Sequence, residues 1–498
     1  MYFRTTEITL MKKIFLSLIL VNSLWGLNAQ KKIEFIEYDL SNGIHVILHE
    51  EHSTPIVAVS VLYHVGSKNE IPSRTGFAHF FEHLLFEGSQ NIERGKYSEL
   101  VEKNGGELNA NTSQDRTYYY EILPSNQLEL GLWLESERML HAKVDIKGIE
   151  TQRSVVKEEK RQRVDNQPYG SFFTEMFKRV FVTHQYNWAP IGSMADLDAA
   201  QEEDYVNFYK NYYIPSNATL TIAGDINLAQ TKKWVEYYYG SMPKGQALNV
   251  YRDFLGLSDL DFEKRYGLPK TKFDAKNFMG STQIDAKKLL ASYASKPIEI
   301  KRTEKDHSKI DSVVKDVIYD NIQLPAIFMG YKFPEQTHPD TYALQFMNEV
   351  LSGGPSSRIN KTIVEKKEMA TFAFSFNYGL EDAGIGIFAA IAAKDISLDS
   401  IQVEFDKQIE MIQNTLITDA EFMKIKNKLE NNMVENTSSI EGIAESLADN
   451  HVYFGSANRI NTEKDLFMEV TKEDIQRVAQ KYLSQNSRVI LHYLPKEK

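Results

Sequence analysis

Strand-like and helix-like segments follow one another in the same order in both halves of this chain, and that order limits the fold more than any other feature. In the first half, Gly43-Ile-His-Val-Ile-Leu-His49 and Ile56-Val-Ala-Val-Ser-Val-Leu-Tyr63 have the β-branched, alternating character of strands. Residues 76–86 then read as a helix, with Phe80 and Leu84, and Phe81 and Leu85, four apart. Residues 108–123 are strand-like up to Pro124, and 128–140 and 150–163 are helical with Gly148 as the break. A helix at 202–213 is stopped by Pro215, and 219–223 is a strand. The second half repeats the pattern, with a strand at 324–333, a helix at 342–351 and a break at Gly353-Gly354-Pro355. Strands at 370–378 and 384–393 and helices at 398–413 and 419–435 follow. Blocks of this kind predict an α+β fold in two related halves of ~200 residues each. At 498 residues the chain also exceeds what one core organises. The expected division is 30–248, a linker or insertion at 249–296, and 297–498. Tyr251, Phe254 and Phe262 make the middle stretch too aromatic for a flexible tether, and short helices such as 285–293 are expected in it.

Met11-Lys12-Lys13 precedes an apolar run of ~14 residues, too short to span a membrane and of the right length for a signal-peptide core. Cleavage near Ala29 would release a periplasmic or secreted protein, with residues 1–10 an upstream extension. No later stretch is long enough for a membrane span. The formal net charge of −11 and the lack of a Lys/Arg block argue against nucleic acid as a partner. There is no cysteine, which removes disulfides, thiolate chemistry and Cys-ligated metals. Any metal must therefore rest on histidine and carboxylates.

His79-Phe-Phe-Glu-His83 supplies such ligands. Residues four apart on a helix share a face, so His79 and His83 can aim two imidazoles at one point, as tetrahedral zinc requires. Glu82, three residues after His79, lies near the same face and is placed to activate a water rather than to bind the metal. The spacing is the His-Glu-x-x-His zinc motif reversed. Phe80, Phe81, Leu84 and Leu85 would bury the helix and hold the histidine face in place. A catalytic zinc needs a third ligand, and without cysteine a carboxylate is expected.

Three segments carry a family resemblance: Gly76-Phe-Ala-His-Phe-Phe-Glu-His-Leu-Leu-Phe-Glu-Gly88, Gly105-Gly-Glu-Leu-Asn-Ala110 and Arg153-Ser-Val-Val-Lys-Glu-Glu159. They resemble the pitrilysin, or M16, zinc metallopeptidases, strongly over residues 33–226 and more weakly beyond. The resemblance implies two two-layer α/β sandwich halves with mainly antiparallel sheets. It also implies one Zn2+ per chain on His79, His83 and Glu159, with Glu82 as the general base of peptide-bond hydrolysis. Glu159 lies 76 residues after His83, at the family's position for the third ligand. Helical geometry alone leaves Glu158 equally placed. An extended peptide would add as a strand along Glu107-Leu-Asn-Ala-Asn-Thr112, with Asn109 and Ala110 as substrate-binding positions.

Two departures from the family stand out. Its supporting acid, seven residues before the third ligand, is Gln152 here; Glu150 is close enough to substitute. The Arg and Tyr that the family's second half offers to substrate and oxyanion fall at Val364 and Thr371, which cannot donate as those residues would. Arg358 and Tyr378 stand nearby at the wrong spacing. The expectation is a secreted zinc endopeptidase acting as the zinc subunit of a heterodimer, its M16-like partner supplying Arg and Tyr, or otherwise a homodimer. The competing expectations are a non-catalytic binding or assembly subunit, and a non-haem iron site, which also uses two histidines and one carboxylate.

Overall fold

The structure, a computed structural model, describes residues 32–496. Every element below belongs to the unit that begins at Phe35. The expected signal peptide at residues 1–29 lies outside the described residues.

Six strands form the first sheet: β1 Ile36–Asp39, β2 His45–Glu50, β3 Ile56–Tyr63, β4 Glu107–Thr112, β5 Thr117–Pro124 and β6 Ala218–Gly224. Their spatial order is β1-β2-β6-β3-β5-β4, and β2 with β6 is the one parallel pair. Five strands form the second: β7 Val314–Asp320, β8 Ala326–Phe333, β9 Ala370–Gly379, β10 Gly384–Ala392 and β11 Val489–Pro495. Their order is β7-β11-β8-β10-β9, and β7 with β11 is again the one parallel pair. Set β1 aside and the two sheets share one topology. In each, an antiparallel hairpin ends the sheet on an edge strand, β4 or β9.

Five helices matter below: α1 Phe77–Leu84, α2 Leu128–His141, α3 Ile146–Lys160, α4 Asp340–Ser352 and α5 Ile440–Phe454. α1 connects β3 to β4, and α4 occupies the same place between β8 and β9. Alternation along β3 turns Val57, Val59, Val61 and Tyr63 into the core shared with α1. The other face meets α5, with Ala58 and Ala223 against Ile440 and Ala444, and Leu62 and Tyr118 against Ala448. With both faces covered, β3 and β6 can be apolar almost throughout.

The strand expected at 108–123 is instead a hairpin. The Ser113 hydroxyl accepts from the amides of Asp115 and Arg116, both at 3.2 Å, and closes a turn that carries no Gly or Pro. Gly148, expected as a break, lies inside α3. Asp145 caps that helix by accepting from the Gly148 amide at 2.8 Å. A Cβ at Gly148 would come within 3.1 Å of Leu84, so glycine here lets α3 approach α1 closely.

The stretch expected as a linker folds into helices Gln246–Gly256, Asp259–Tyr266 and Ile284–Ala294 around a small core that includes Val250, Phe262, Phe273 and Phe278. Arg252 anchors it. Its guanidinium lies 3.8 Å from the Tyr209 ring centroid and donates to the carbonyls of Met139 and Tyr213 at 2.8 and 2.6 Å.

A buried charge cluster joins the two halves. Lys68 Nζ, just 2% exposed, meets Asp115 at 3.0 Å and, from the β9–β10 turn, Glu381 at 2.6 Å and Asp382 at 3.1 Å. Tyr186 donates to Asp115 at 2.6 Å and accepts from the Asp382 amide at 2.9 Å. Replacing Lys68 by Met would leave these carboxylates buried without their central cation. A loss of about 3–5 kcal/mol is expected, read as a lower unfolding temperature; an unchanged midpoint would show that the cluster does not hold the halves together.

Candidate metal centre

α1 is fixed at both ends by buried charged side chains. At its start, Glu70 accepts from the amides of Gly76 at 2.8 Å and Ala78 at 2.9 Å, occupying donors that an α-helix leaves open. Burial pushes the Glu70 carboxyl well up, while the bonds from Ala78 and Gly76 act against that rise. The chain enters the helix at Gly76 with φ of 96°, and a Cβ there would meet the Ile191 carbonyl at 3.0 Å. At the other end, Arg138 of α2 donates to the Leu85 carbonyl at 3.2 Å. A cation at a helix C-terminus complements the dipole. Its guanidinium lies 4.3–4.4 Å from the ring centroids of Phe86, Tyr97 and Tyr119, and pairs with Glu135 at 3.1 Å and Glu121 at 3.4 Å. Tyr119 of β5 donates to the Phe81 carbonyl at 2.8 Å. The helix cannot slide without breaking several of these bonds.

So held, α1 turns His79 and His83 toward Glu159, near the end of α3. Glu159 Oε2 lies 3.4 Å from His79 Nε2 and 3.1 Å from His83 Nε2. The two imidazole planes cross at 79°, and one ligand atom from each of the three residues falls within 4.8 Å of the others. Side-chain exposures of 12, 25 and 16% leave the cluster shielded from bulk water yet reachable by an ion. Burial and the neighbouring His83 push His79 down to about 4, which keeps it in the neutral form that a metal ligand needs. Contact with His83 holds the Glu159 carboxyl below its usual range. Glu159 Oε2, on which both imidazoles converge, is buried and makes no well-directed hydrogen bond. A buried acceptor left over at such a point is what a cation would satisfy. The donor set and its convergence fit zinc.

Glu82 is half-buried on the same helix. Burial raises its carboxyl pKa, with Thr112 of β4 beside it acting the other way. Ala110 and Leu108 of β4 pack on the core that holds α1, so alternation turns the Asn109 side chain to the opposite face of the sheet. Ala110 stands directly across from Tyr119, the residue bonded to α1. Among the described strands, β4 pairs only with β5, which leaves its outer backbone edge open. Past the end of α3 lies a mainly apolar cavity of about 500 Å³, lined by Arg163 and by Phe172, Phe173, Phe372 and Phe374 among others. Arg163 is itself bound to Glu159 Oε1 at 2.9 Å.

Gln152 donates to Glu87 at 2.5 Å, and Arg94 holds the other oxygen of that carboxylate. Glu150 faces solvent and pairs with Arg153 at 3.2 Å rather than standing in for an acid at 152. Val364 packs on the second core, and the Thr371 hydroxyl donates to the Ile391 carbonyl at 3.3 Å. Arg358 makes two 3.1 Å bonds to Glu421, and Tyr378 donates to Gln114 at 3.1 Å. Glu70, Arg138 and Tyr119 were not expected from the sequence. Their only trace there is the rarity of buried charge and of a Tyr-rich strand beside a histidine helix.

Two histidines and a carboxylate thus converge, in an α+β fold, into a group of the kind that holds a divalent metal. The chain belongs to peptidase family M16. Residues 45–187 match the model of the insulinase (peptidase family M16) domain, and residues 200–429 that of the peptidase M16 inactive domain. Zinc protease PqqE of Helicobacter pylori is 29% identical over 91% of both chains. The mitochondrial-processing peptidase subunit beta of Blastocladiella emersonii is 23% identical over 92% of this chain and 88% of its own. A crystal structure of a protease from Helicobacter pylori superposes with a TM-score of 0.77 at 27% identity, covering 93% of this chain and all of the other. The periplasmic protease PqqL of Escherichia coli shares the fold, with a TM-score of 0.67 at 17% identity; the match covers 94% of this chain and 48% of PqqL.

If the two amide bonds from Gly76 and Ala78 set the pitch of the histidine helix, Glu70→Ala should leave both donors buried and unpaired. The expected cost is on the order of 2–4 kcal/mol, together with a weaker zinc affinity in competition with a chromogenic chelator. Unchanged affinity would show that α1 needs no fixing at this end.

Proposed function

We propose that the chain is a zinc endopeptidase acting on extended peptides or unfolded segments, with His79, His83 and Glu159 as zinc ligands and Glu82 as general base. The observation that carries this reading is the meeting of those three side chains beside a half-buried carboxylate and an open sheet edge. When bound, zinc supplies Lewis-acid chemistry, polarising the scissile carbonyl and acidifying water. Glu82 takes the proton of the attacking water on its carboxylate. Its burial favours the protonated form, so it can hold that proton and pass it to the leaving amine. The outer edge of β4 around Asn109 and Ala110 would offer main-chain groups to a peptide lying alongside, once the Asn109 side chain releases the Ala110 amide it accepts from at 2.9 Å, and this gives affinity with little sequence demand. The zinc protease name of the Helicobacter pylori relative supports the choice of ion.

The oxyanion donors, on this reading, come from a second chain. Val364 has no donor, the Thr371 hydroxyl is given to the Ile391 carbonyl, and Arg358 is committed to Glu421. A relative that is itself a peptidase subunit supports the same division of labour. A homodimer is the simpler arrangement should no partner exist. The Lys-Lys-apolar leader supports export to a periplasm or beyond, and no helix among the described residues is long and apolar enough to cross a membrane. The departures at Gln152, Val364 and Thr371 favour one rival, a non-catalytic binding or assembly subunit.

Glu82→Gln should cut peptide hydrolysis by about 10²–10⁴-fold while zinc content, measured by plasma mass spectrometry, stays unchanged. Hydrolysis should vanish on chelation and return with zinc. Peptide binding without cleavage, by the chain alone and with any co-purifying partner, would instead establish the assembly reading. Stoichiometric iron after mild purification would exclude zinc.

A further inference from the structure

The face of the first sheet turned away from α1 carries a second group of metal-ligand type. On β1 and β2, Ile36, Tyr38, Val46 and Leu48 point to the core that holds α1. Alternation therefore turns Glu37, Asp39 and His45 to the opposite face, where Asp39 lies directly across from His45. α5 crosses that face and brings His451 to them. One ligand atom each from Glu37, His45 and His451 falls within 4.8 Å of the others. His45 Nδ1 is 2.8 Å from Asp39 Oδ1, and its Nε2 is 3.3 Å from Glu37 Oε2.

A neutral imidazole has one donor. Given to Asp39, the nearer carboxylate, it leaves the Nε2 lone pair facing the Glu37 carboxylate. A metal cation drawn between these two acceptors would satisfy both. An imidazole that donates from Nδ1 to a carboxylate while its Nε2 stays free is also the usual arrangement of a supported metal ligand. The His45 and His451 rings are stacked, 3.5 Å between centroids and 5° between planes, an arrangement that two imidazolium cations would resist.

We propose that Glu37, His45 and His451 form a second zinc site, with Asp39 orienting His45. Two imidazoles and one carboxylate without thiolate suit Zn2+, and Glu37, 40% exposed, lies on the side from which water completes the coordination. Binding requires the stack to open. With His45 held by Asp39, it is the His451 ring that would turn, about its broad terminal χ2 torsion. The ion ties α5, from the second half of the chain, to the outermost strands of the first. Its role is to hold the halves together, and it does not depend on what the α1 cluster does.

The test is the zinc content of the full chain after chelation, reloading with Zn2+ alone and desalting. Wild type should hold two zinc ions, His79→Ala/His83→Ala one, His45→Asn/His451→Asn one, and the combination none. Zinc should raise the melting temperature of the His79→Ala/His83→Ala variant and leave that of the combination unmoved. A wild type with one zinc that is lost with His79 and His83 overturns the proposal. One zinc lost with His45 and His451 upholds it and overturns the α1 site instead, so the two failures are distinct. If the paired substitution fails to fold, His451→Asn alone gives the reading: zinc retained at two per chain counts against the site, and a drop to one supports it.

Discussion

Bringing two imidazoles and a carboxylate to one point is unfavourable for a chain that holds nothing between them, because each gives up water to face a like lone pair. The first half is arranged so that they cannot move apart. Glu70 and Arg138 hold the two ends of α1, Tyr119 holds its middle, and the lack of a side chain at Gly148 lets α3 close on Leu84. Only then does Glu159, more than two turns further along α3, reach the histidines. The fixing groups are buried ones, and buried charge is a costly means of support unless every partner is present. Arg138 has them: two carboxylates, one carbonyl and three aromatic faces.

The second half repeats the topology without repeating the chemistry. α4 stands where α1 stands, and beyond Asp340 in its first turn its buried residues, Ala343, Leu344, Phe346, Met347, Val350 and Leu351, are all apolar. Freed from presenting ligands, this half contributes walls and clamps. α5 covers the open face of the first sheet, the β9–β10 turn sends Glu381 and Asp382 to Lys68, and β9 and β10 line the aromatic cavity. The second half thus acts on the first through packing and ion pairs.

What the sequence made legible was local. The four-residue spacing of Phe80/Leu84 and Phe81/Leu85 marked α1, and β-branched alternation marked β3, because both signals come from neighbours along the chain. The choice between Glu158 and Glu159 was not local. Both sit at the end of α3; the family position picks Glu159, and the packing phase sends Glu158 out to Arg161 and Gln162 and Glu159 in to His83. The turn at 113–116 was hidden because a serine hydroxyl does the work usually signalled by glycine or proline. The roles of Glu70 and Lys68 left no local signal, because their partners lie six or more residues away, and of Arg138's partners only Glu135 is a neighbour along the chain. α5 did leave a signal, Ile440, Ile443, Ala444, Leu447 and Ala448 at three- and four-residue steps. Periodicity cannot say, however, that such a helix covers a sheet more than 200 residues away.

The geometry of β4 constrains what kind of specificity the proposed peptidase can have. A peptide added along its edge would be held mainly through main-chain groups, and the alternation that places Ala110 toward α1 sends the Asn109 side chain to the far face. Ala110 is too small to select among substrates. Discrimination must therefore arise elsewhere, and two surfaces near Glu159 can supply it. One is the mainly apolar cavity lined in part by Arg163, whose phenylalanines would suit a bulky apolar side chain of the substrate proposed above. The other, under the proposed function, would be the surface of the second chain that supplies the oxyanion donors. On this view the zinc half sets the reaction and the accessible backbone conformation, while the choice of substrate is left to the cavity and the partner.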